Sequence, residues 1–293
     1  MNSNQSTERI PFRKVTLPNN IEVFEQFKKH VSMLYPQVQE YFSDAVNRIM
    51  SRKDIVVIDA GANIGLFAIE VYLRTDRRGR IYCFEPVQET SEVLRRNLEQ
   101  FNDPEKLHTF ECGLSDAEKQ VMFSYIRNAT PMSSQYDPLF NDAIAKRITE
   151  IVISRNVPEQ FSNAVMRFLQ LLPNFMIRPA VKLMIKSLNS SITKNIVKQQ
   201  CEMIPLSKFI MQNSIRSIDL LKIDVEKAEM DVIRGMREED WAIVGAVIME
   251  IHNENGKLDE IKSILSRSGF KDIKVDQEYM FKGTDIYNLQ AIR

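Results

Sequence analysis

Net charge is the first thing this 293-residue chain lacks, because 39 Lys and Arg are matched by 39 Asp and Glu. No overall field is left to draw in nucleic acid or an anionic membrane, so neither is expected as a partner. Cysteine is scarce. Cys83, Cys112 and Cys201 are odd in number and form no Cys-x-x-Cys pair, and two of them fall in strand-like apolar runs where cysteine serves as a small hydrophobe. A reducing, cytoplasmic setting is therefore expected. Met1 to Arg9 is polar and lacks the apolar core of a signal peptide, and no apolar run approaches the roughly 18 residues that span a bilayer. There are only three histidines and no His-x-x-x-His pair, so no metal centre is expected. Apolar residues make up 44% of the chain, enough for one large α/β domain with an insertion or for two small domains.

Glycine is short where a dinucleotide cofactor would need it most. The run Val56-Val57-Ile58-Asp59-Ala60 leads into Gly61-Ala62-Asn63-Ile64-Gly65, a buried strand entering a tight turn with an acid at the bend. A pyrophosphate is gripped by backbone N–H groups that close on it across three glycines. Here Ala62 and Asn63 fill the middle, and Asp59 would repel a phosphate. S-adenosyl-L-methionine has no phosphate, and its amine and sulfonium are cations that an acid attracts. Asp59-x-Gly61-x-Asn63-x-Gly65 thus reads as an S-adenosylmethionine loop. Twenty residues after Gly65, a second apolar strand, Ile81-Tyr82-Cys83-Phe84, ends in Glu85-Pro86. That places a carboxylate where α/β cofactor folds hold a ribose diol, which a glycine turn serving only helix packing would not require.

Before residue 51, Val31, Leu34, Val38, Phe42, Val46 and Ile49 recur at helical spacing and predict an N-terminal helical segment over 1–50. From 51 to 293, strands at 55–59, 80–85, 108–112, 220–225 and 246–252 alternate with helices at 65–74, 88–101, 226–236 and 257–268. This alternation predicts an α/β fold with a Rossmann-like, mostly parallel sheet covered on both faces. Residues 271–275 and 286–292 predict an antiparallel C-terminal edge. Between about 131 and 203 no strand pattern is visible, and apolar residues such as Phe161, Val165, Phe168 and Leu172 keep helical spacing. A helical insertion broken at Pro173 and Pro179 is expected there, lying over the substrate entrance as a lid. Arg167, Arg178, Lys182 and Lys186 interleave with its apolar face, a pattern that also suits a membrane surface or an acidic partner.

A central parallel strand normally reads as a continuous apolar run. Leu220-Leu221-Lys222-Ile223-Asp224-Val225-Glu226 alternates instead, and period 2 puts Lys222, Asp224 and Glu226 on one face toward the carboxyl edge. Glu250 and His252 share a face of the next strand in the same way. A Lys–carboxylate network closing the top of the sheet would account for Lys222 and one or two of the acids. His252 is the expected general base, since transfer of a methyl group to an alcohol needs alignment and help in removing the proton. Asp224 and Glu226 stand beside it.

These motifs resemble the FkbM-type S-adenosylmethionine-dependent methyltransferases. The resemblance is carried by Ile58 through Phe67, Phe84-Glu85-Pro86, Cys112-Gly113-Leu114-Ser115-Asp116, Leu221 through Glu229, and Glu250-Ile251-His252, which together cover most of 55–252 outside the insertion. The family's usual fourth block has Gly where this chain has Lys227. Val225-Glu226-Lys227-Ala228-Glu229, Glu238-Glu239-Asp240-Trp241, the terminal Lys282 to Asn288 block and the insertion look like the branch embedded in polyketide and non-ribosomal peptide synthases. The resemblance implies a class I methyltransferase core over 51–293 that O-methylates a small molecule or an acyl-carrier-protein-bound intermediate, with megasynthase domains as possible neighbours. Carried over by position, Asp59, Gly61, Asn63 and Gly65 form the loop at the methionine portion. Glu85 and Pro86 meet the ribose, Cys112, Gly113 or Leu114 the adenine, and Asp224 lies near the donor methyl. Ser133, Ser134, Tyr136 and Lys222 are candidate acceptor contacts. Three rivals stand beside this reading: a nucleic-acid methyltransferase, disfavoured by neutral charge; a nicotinamide dehydrogenase, disfavoured by Ala62 and Asn63; and a non-catalytic docking module.

Overall fold

The computed structural model describes residues 12–126, 140–157 and 164–293. The chain opens with a hairpin, β1 (Arg13–Thr16) and β2 (Glu22–Glu25), followed by α1 (His30–Glu40) and α2 (Asp44–Met50). Both helices lie where the apolar spacing places them. The hairpin does not follow from that spacing, and within 1–50 it replaces part of the expected helical segment. Asn97 fastens it to the core: its Oδ1 accepts from Phe24 N at 2.6 Å, and its Nδ2 donates to the carbonyls of Phe24 at 3.1 Å and Ile64 at 2.8 Å.

The core then runs β3 (Val56–Ala60), α3 (Leu66–Arg74), β4 (Arg80–Phe84), α4 (Gln88–Glu99) and β5 (Leu107–Phe110). Next come β6 (Gly113–Leu114), β7 (Lys119–Ile126), α5 (Asp142–Ile153), α6 (Ala164–Leu171), α7 (Asn174–Asn195), β8 (Ile196–Ile204) and α8 (Leu206–Gln212). The chain returns to the main sheet with β9 (Leu220–Ile223), α9 (Glu229–Arg234), α10 (Glu238–Trp241), β10 (Ala246–His252), α11 (Lys257–Arg267), β11 (Asp272–Asp276) and β12 (Ile286–Ile292). The seven-stranded sheet has the order β11-β12-β10-β9-β3-β4-β5. β12 is antiparallel to both of its neighbours, and the pairs from β10 through β5 are all parallel. This is the Rossmann-like, mostly parallel architecture expected from the alternation of strands and helices. The antiparallel strand, however, sits one place in from the rim, with β11 outside it.

Strand order reverses between β3 and β9, and at such a switch point the loops leaving the carboxyl ends diverge and open a crevice. Completely buried Val57, Ile58, Ala60, Leu220, Leu221 and Ile223 hold these two strands in place. A second sheet, β6-β8-β7, stands to one side and packs Phe123, Tyr125, Cys201 and Met203 against Val87. β7 and β8 are antiparallel partners from Lys119↔Met203 to Ile126↔Ile196. The insertion therefore leaves and rejoins the core at adjacent points, and it ends at Asn195, not near 203 as the sequence pattern suggests. Its helices have their own core of Val152, Met166, Leu169, Ile177, Val181 and Ile185.

Candidate active site

Gly61 is where the sequence most narrowly dictates the site. Its φ is +78°, and a Cβ there would lie 1.8 Å from the carbonyl oxygen of Asp224, so β3 turns hard against the end of β9. Gly65, at φ +87°, starts α3 and would meet Leu94 Cδ1 at 2.7 Å if it carried a side chain. Asn63 takes a left-handed φ of +50°, its N–H donates to Glu85 Oε2 at 3.0 Å, and its own Oδ1 accepts from Ile64 N at 2.8 Å. Glu85 Oε1 accepts from Val87 N at 3.0 Å. Burial pushes the Glu85 carboxyl up to about 7, against the pull of those two backbone donors.

Above the loop lies a cavity of about 910 Å³, near the upper end for small-molecule sites. Gly61, Asn63, Glu85, Pro86, Gly113 and Leu114 line it, as do Lys222, Asp224, Glu226, Glu250 and His252. The structure thus brings together most residues nominated from sequence. Three do not reach the cavity. Gly65 shapes the turn, Cys112 packs partly buried against the sheet's core, and Asp59 is fully buried with Oδ1 3.0 Å from Lys222 Nζ. Ser133, Ser134 and Tyr136 fall outside the described residues.

Lys222 is 3% exposed and works as an internal tie. Its Nζ donates to the Gly61 carbonyl at 2.8 Å and sits 3.6 Å from Asp224 Oδ2. Burial works against its charge, but Asp59 and Asp224 outweigh it and raise the ammonium above its ordinary value. Burial also pushes the Asp59 carboxyl up, and the Lys222 ammonium opposes it. This is the Lys–carboxylate network anticipated as the plain account of Lys222, and it leaves that residue a wall of the site more than a free acceptor contact. Tyr41 on the N-terminal segment donates to Asp224 Oδ2 at 3.1 Å, which brings that segment over the cavity.

β9 ends at Ile223, so strand alternation does not place Glu226. A turn does, with φ +48° at Glu226 and +77° at Lys227, each a conformation that costs a non-glycine residue about 1–3 kcal/mol. Lys227 occupies the position where the resembled block carries Gly, and its positive φ explains that preference. The turn delays α9 to Glu229, three residues later than predicted.

That shift reveals a residue not nominated from sequence. Glu229 is fully buried; its Oε1 accepts from Lys227 N at 2.8 Å and lies 3.0 Å from His252 Nδ1. His252 Nε2 faces Glu226 Oε2 at 3.4 Å. Burial lowers the affinity of His252 for a proton, but the Glu229 hydrogen bond and the charges of Glu229, Glu250 and Asp224 overcome this and raise its pKa. Burial, then repulsion from Asp224 and Glu229, pushes Glu226 well up; burial, Asp224 and Glu226 do the same to Glu250. The Val225-Glu226-Lys227-Ala228-Glu229 spacing held the clue, because a one-turn offset from a strand end can return a side chain to the neighbouring strand. Glu226, Glu250 and His252 also offer one ligand atom each, all within 4.8 Å of one another, so a divalent cation would find three donors here.

The model of the methyltransferase FkbM domain matches residues 59–271. The chain belongs to that family. It is 30% identical over 265 residues to the AMB antimetabolite synthetase AmbE of Pseudomonas aeruginosa, spanning 87% of this chain and 11% of AmbE. Over 281 residues it is 28% identical to the 31-O-demethyl-FK506 methyltransferase FkbM of Streptomyces tacrolimicus, covering 94% of this chain and 95% of that enzyme. The crystal structure of methyltransferase FkbM from Methylobacillus flagellatus KT is 14% identical, with a TM-score of 0.46 over 81% of this chain and 43% of that chain. Like its family, this FkbM-type methyltransferase uses S-adenosyl-L-methionine. The residues present fit that cofactor: Glu85 lines the cavity with a carboxylate that would accept from a ribose, and Pro86, Leu114, Phe123 and Met203 line it with apolar surface that would border a base. The acids around the far end suit a sulfonium. No helix among the described residues is long and apolar enough to cross a membrane.

Proposed function

We propose that this methyltransferase transfers the methyl group of S-adenosyl-L-methionine to a hydroxyl of a small molecule or of an intermediate tethered to a carrier protein. The observation that carries the reading is the pairing of His252 Nδ1 with buried Glu229 at 3.0 Å on the wall of the cofactor cavity. A carboxylate on Nδ1 fixes the tautomer and leaves Nε2 to take a proton, the base-and-orienter arrangement that activates a hydroxyl. A methyl group on a sulfonium needs an aligned nucleophile, and deprotonation of that nucleophile as it attacks supplies the chemical assistance. In this reading His252 removes the acceptor proton, Glu229 orients it, and Asp224, tied to Lys222 and Tyr41, borders the donor methyl. The FkbM relative, named for a 31-O-methylation and matched along nearly its whole length, supports the same reaction type.

The test is His252→Ala. Methyl transfer should fall by about 10²-fold or more while cofactor affinity stays unchanged, because a base stabilises the transition state and not the bound donor. A near-native rate would remove His252 from the reaction.

A further inference from the structure

Between Ala164 and Asn195 this charge-balanced chain carries Arg167, Arg178, Lys182, Lys186 and Lys194 and no acid. The same stretch holds seven of the twelve large apolar side chains that stand exposed among the described residues. Leu171 is 82% exposed, Phe175 80%, Leu183 70% and Phe168 60%. α7 explains the arrangement. Ile177, Val181 and Ile185 face inward to the insertion's own core, so Phe175, Lys182 and Lys186, at i, i+7 and i+11, share the opposite face. Arg178, Lys182 and Lys186 form no ion pair among the described residues. Exposed apolar side chains at this density, interspersed with cations, mark an interaction surface.

Lys182 and Lys186 also border a cleft of about 320 Å³ between α5 and α7, beside Asn189 and Asp142. Phe140 and Asn141 line both this cleft and the large cavity. The cationic face therefore adjoins the wall of the large cavity.

We propose that the outer face of α6 and α7 docks an acidic carrier domain and that the cleft beneath Lys182 and Lys186 admits the arm bearing the acceptor. This rests on the hydroxyl-methylation reading above. Charge complementarity selects an acidic partner, and the shared wall of the two cavities selects one that presents its cargo at the end of a tether. A bilayer would also attract exposed Phe and Leu among lysines, but it supplies no arm to use the cleft. The chain matches 11% of AmbE, so a region similar to it lies within a much longer protein.

The test compares one hydroxyacyl acceptor on two supports, a purified acidic holo-carrier domain and free pantetheine, using Lys182→Glu/Lys186→Glu and, separately, Leu171→Ser/Phe175→Ser. All four positions are exposed, so the insertion's core is untouched. Both variants should lose about tenfold or more in kcat/KM on the carrier-bound acceptor, Leu171→Ser/Phe175→Ser, which lies outside the cleft, should retain native values on the pantetheine thioester, and added salt should weaken the carrier reaction more than the pantetheine reaction. Equal losses by Leu171→Ser/Phe175→Ser on both supports, or no loss by either variant on the carrier, overturn the docking proposal. So does methylation of the free acceptor with none of the carrier-bound form, which leaves O-methylation standing. Sedimentation with vesicles of phosphatidylcholine and phosphatidylglycerol that depends on Lys182 and Lys186, with carrier turnover unaffected, assigns the face to a membrane instead.

Discussion

Replacing Glu229 by glutamine removes a charge but not a hydrogen-bond acceptor. Oε1 of Glu229 meets both Lys227 N and His252 Nδ1, and a glutamine amide oxygen can keep both contacts in the same buried volume. Only the charge assistance is lost. Hydrogen bonds to charged groups contribute about 1.5–3 kcal/mol and neutral ones about 0.5–1.5 kcal/mol. The difference of about 1–1.5 kcal/mol corresponds to about one pKa unit. Burial already lowers the proton affinity of His252 and the Glu229 carboxylate does most to raise it, so the variant's imidazole titrates lower. A base acts in its neutral form. The rising limb of kcat against pH should therefore move about one unit toward acid, and the plateau should fall severalfold as the base weakens. Glu229→Ala, which removes the acceptor and the orientation together, should cost about 10²–10⁴-fold. The ion pair also has a stability signature: its contribution is fully present below the ordinary histidine pKa of about 6.5 and is lost as pH rises through the raised value. Initial rates across the neutral range decide the matter. A folded Glu229→Gln enzyme whose rising limb does not move would refute the assignment of Glu229 as the orienting group.

The Glu85 carboxyl titrates near 7 without cofactor, and ribose hydroxyls favour its ionised form, so affinity for S-adenosylmethionine should rise about tenfold between pH 6 and pH 8 and then level off, as read by calorimetry. Glu85→Ala should lose about 1–3 kcal/mol of cofactor binding and flatten that dependence, and an unchanged profile would take the ribose away from Glu85. Excising 127–195 and joining Ile126 to Ile196 through a short turn is compatible with their pairing, and should spare cofactor affinity while abolishing turnover, since Phe140, Asn141 and Ile144 are removed from the cavity wall. Efficient methylation by the shortened protein would show that the insertion is dispensable. Dialysis against a chelator should leave the rate unchanged if His252 Nε2 handles a proton, whereas a loss restored by Mn²⁺ or Zn²⁺ would recast Glu226, Glu250 and His252 as metal ligands.

The parallel core was legible because its strands announce themselves locally. Val56–Ala60, Arg80–Phe84, Leu220–Ile223 and Ala246–His252 are short apolar runs set between amphipathic helices, and each lies within a residue or two of its expected place. β7 and β8 were not legible. Their pairing spans the whole insertion, and α7 passes into β8 at Asn195–Ile196 with no glycine or proline to mark the change. The hairpin β1–β2 is short and rich in charge, so its strands show no alternation strong enough to read. At the site, Gly61, Asn63, Glu85 and His252 could be named because a turn or a strand end carries each of them. Glu229 could not, since its position depends on two left-handed residues, Glu226 and Lys227, whose conformation is imposed by the surrounding structure and not by their own preference. Asp59 shows the reverse: its motif position was clear, but its partner Lys222 lies more than 160 residues away and turns it inward.

The most direct measurement is tandem mass spectrometry of hydroxylated acceptors, free and carrier-loaded, after incubation with methyl-labelled S-adenosylmethionine and the protein. A gain of one labelled methyl group located on oxygen, lost in His252→Ala, is expected. Label on carbon or nitrogen, or tight cofactor binding with no transfer to any hydroxyl, would contradict it.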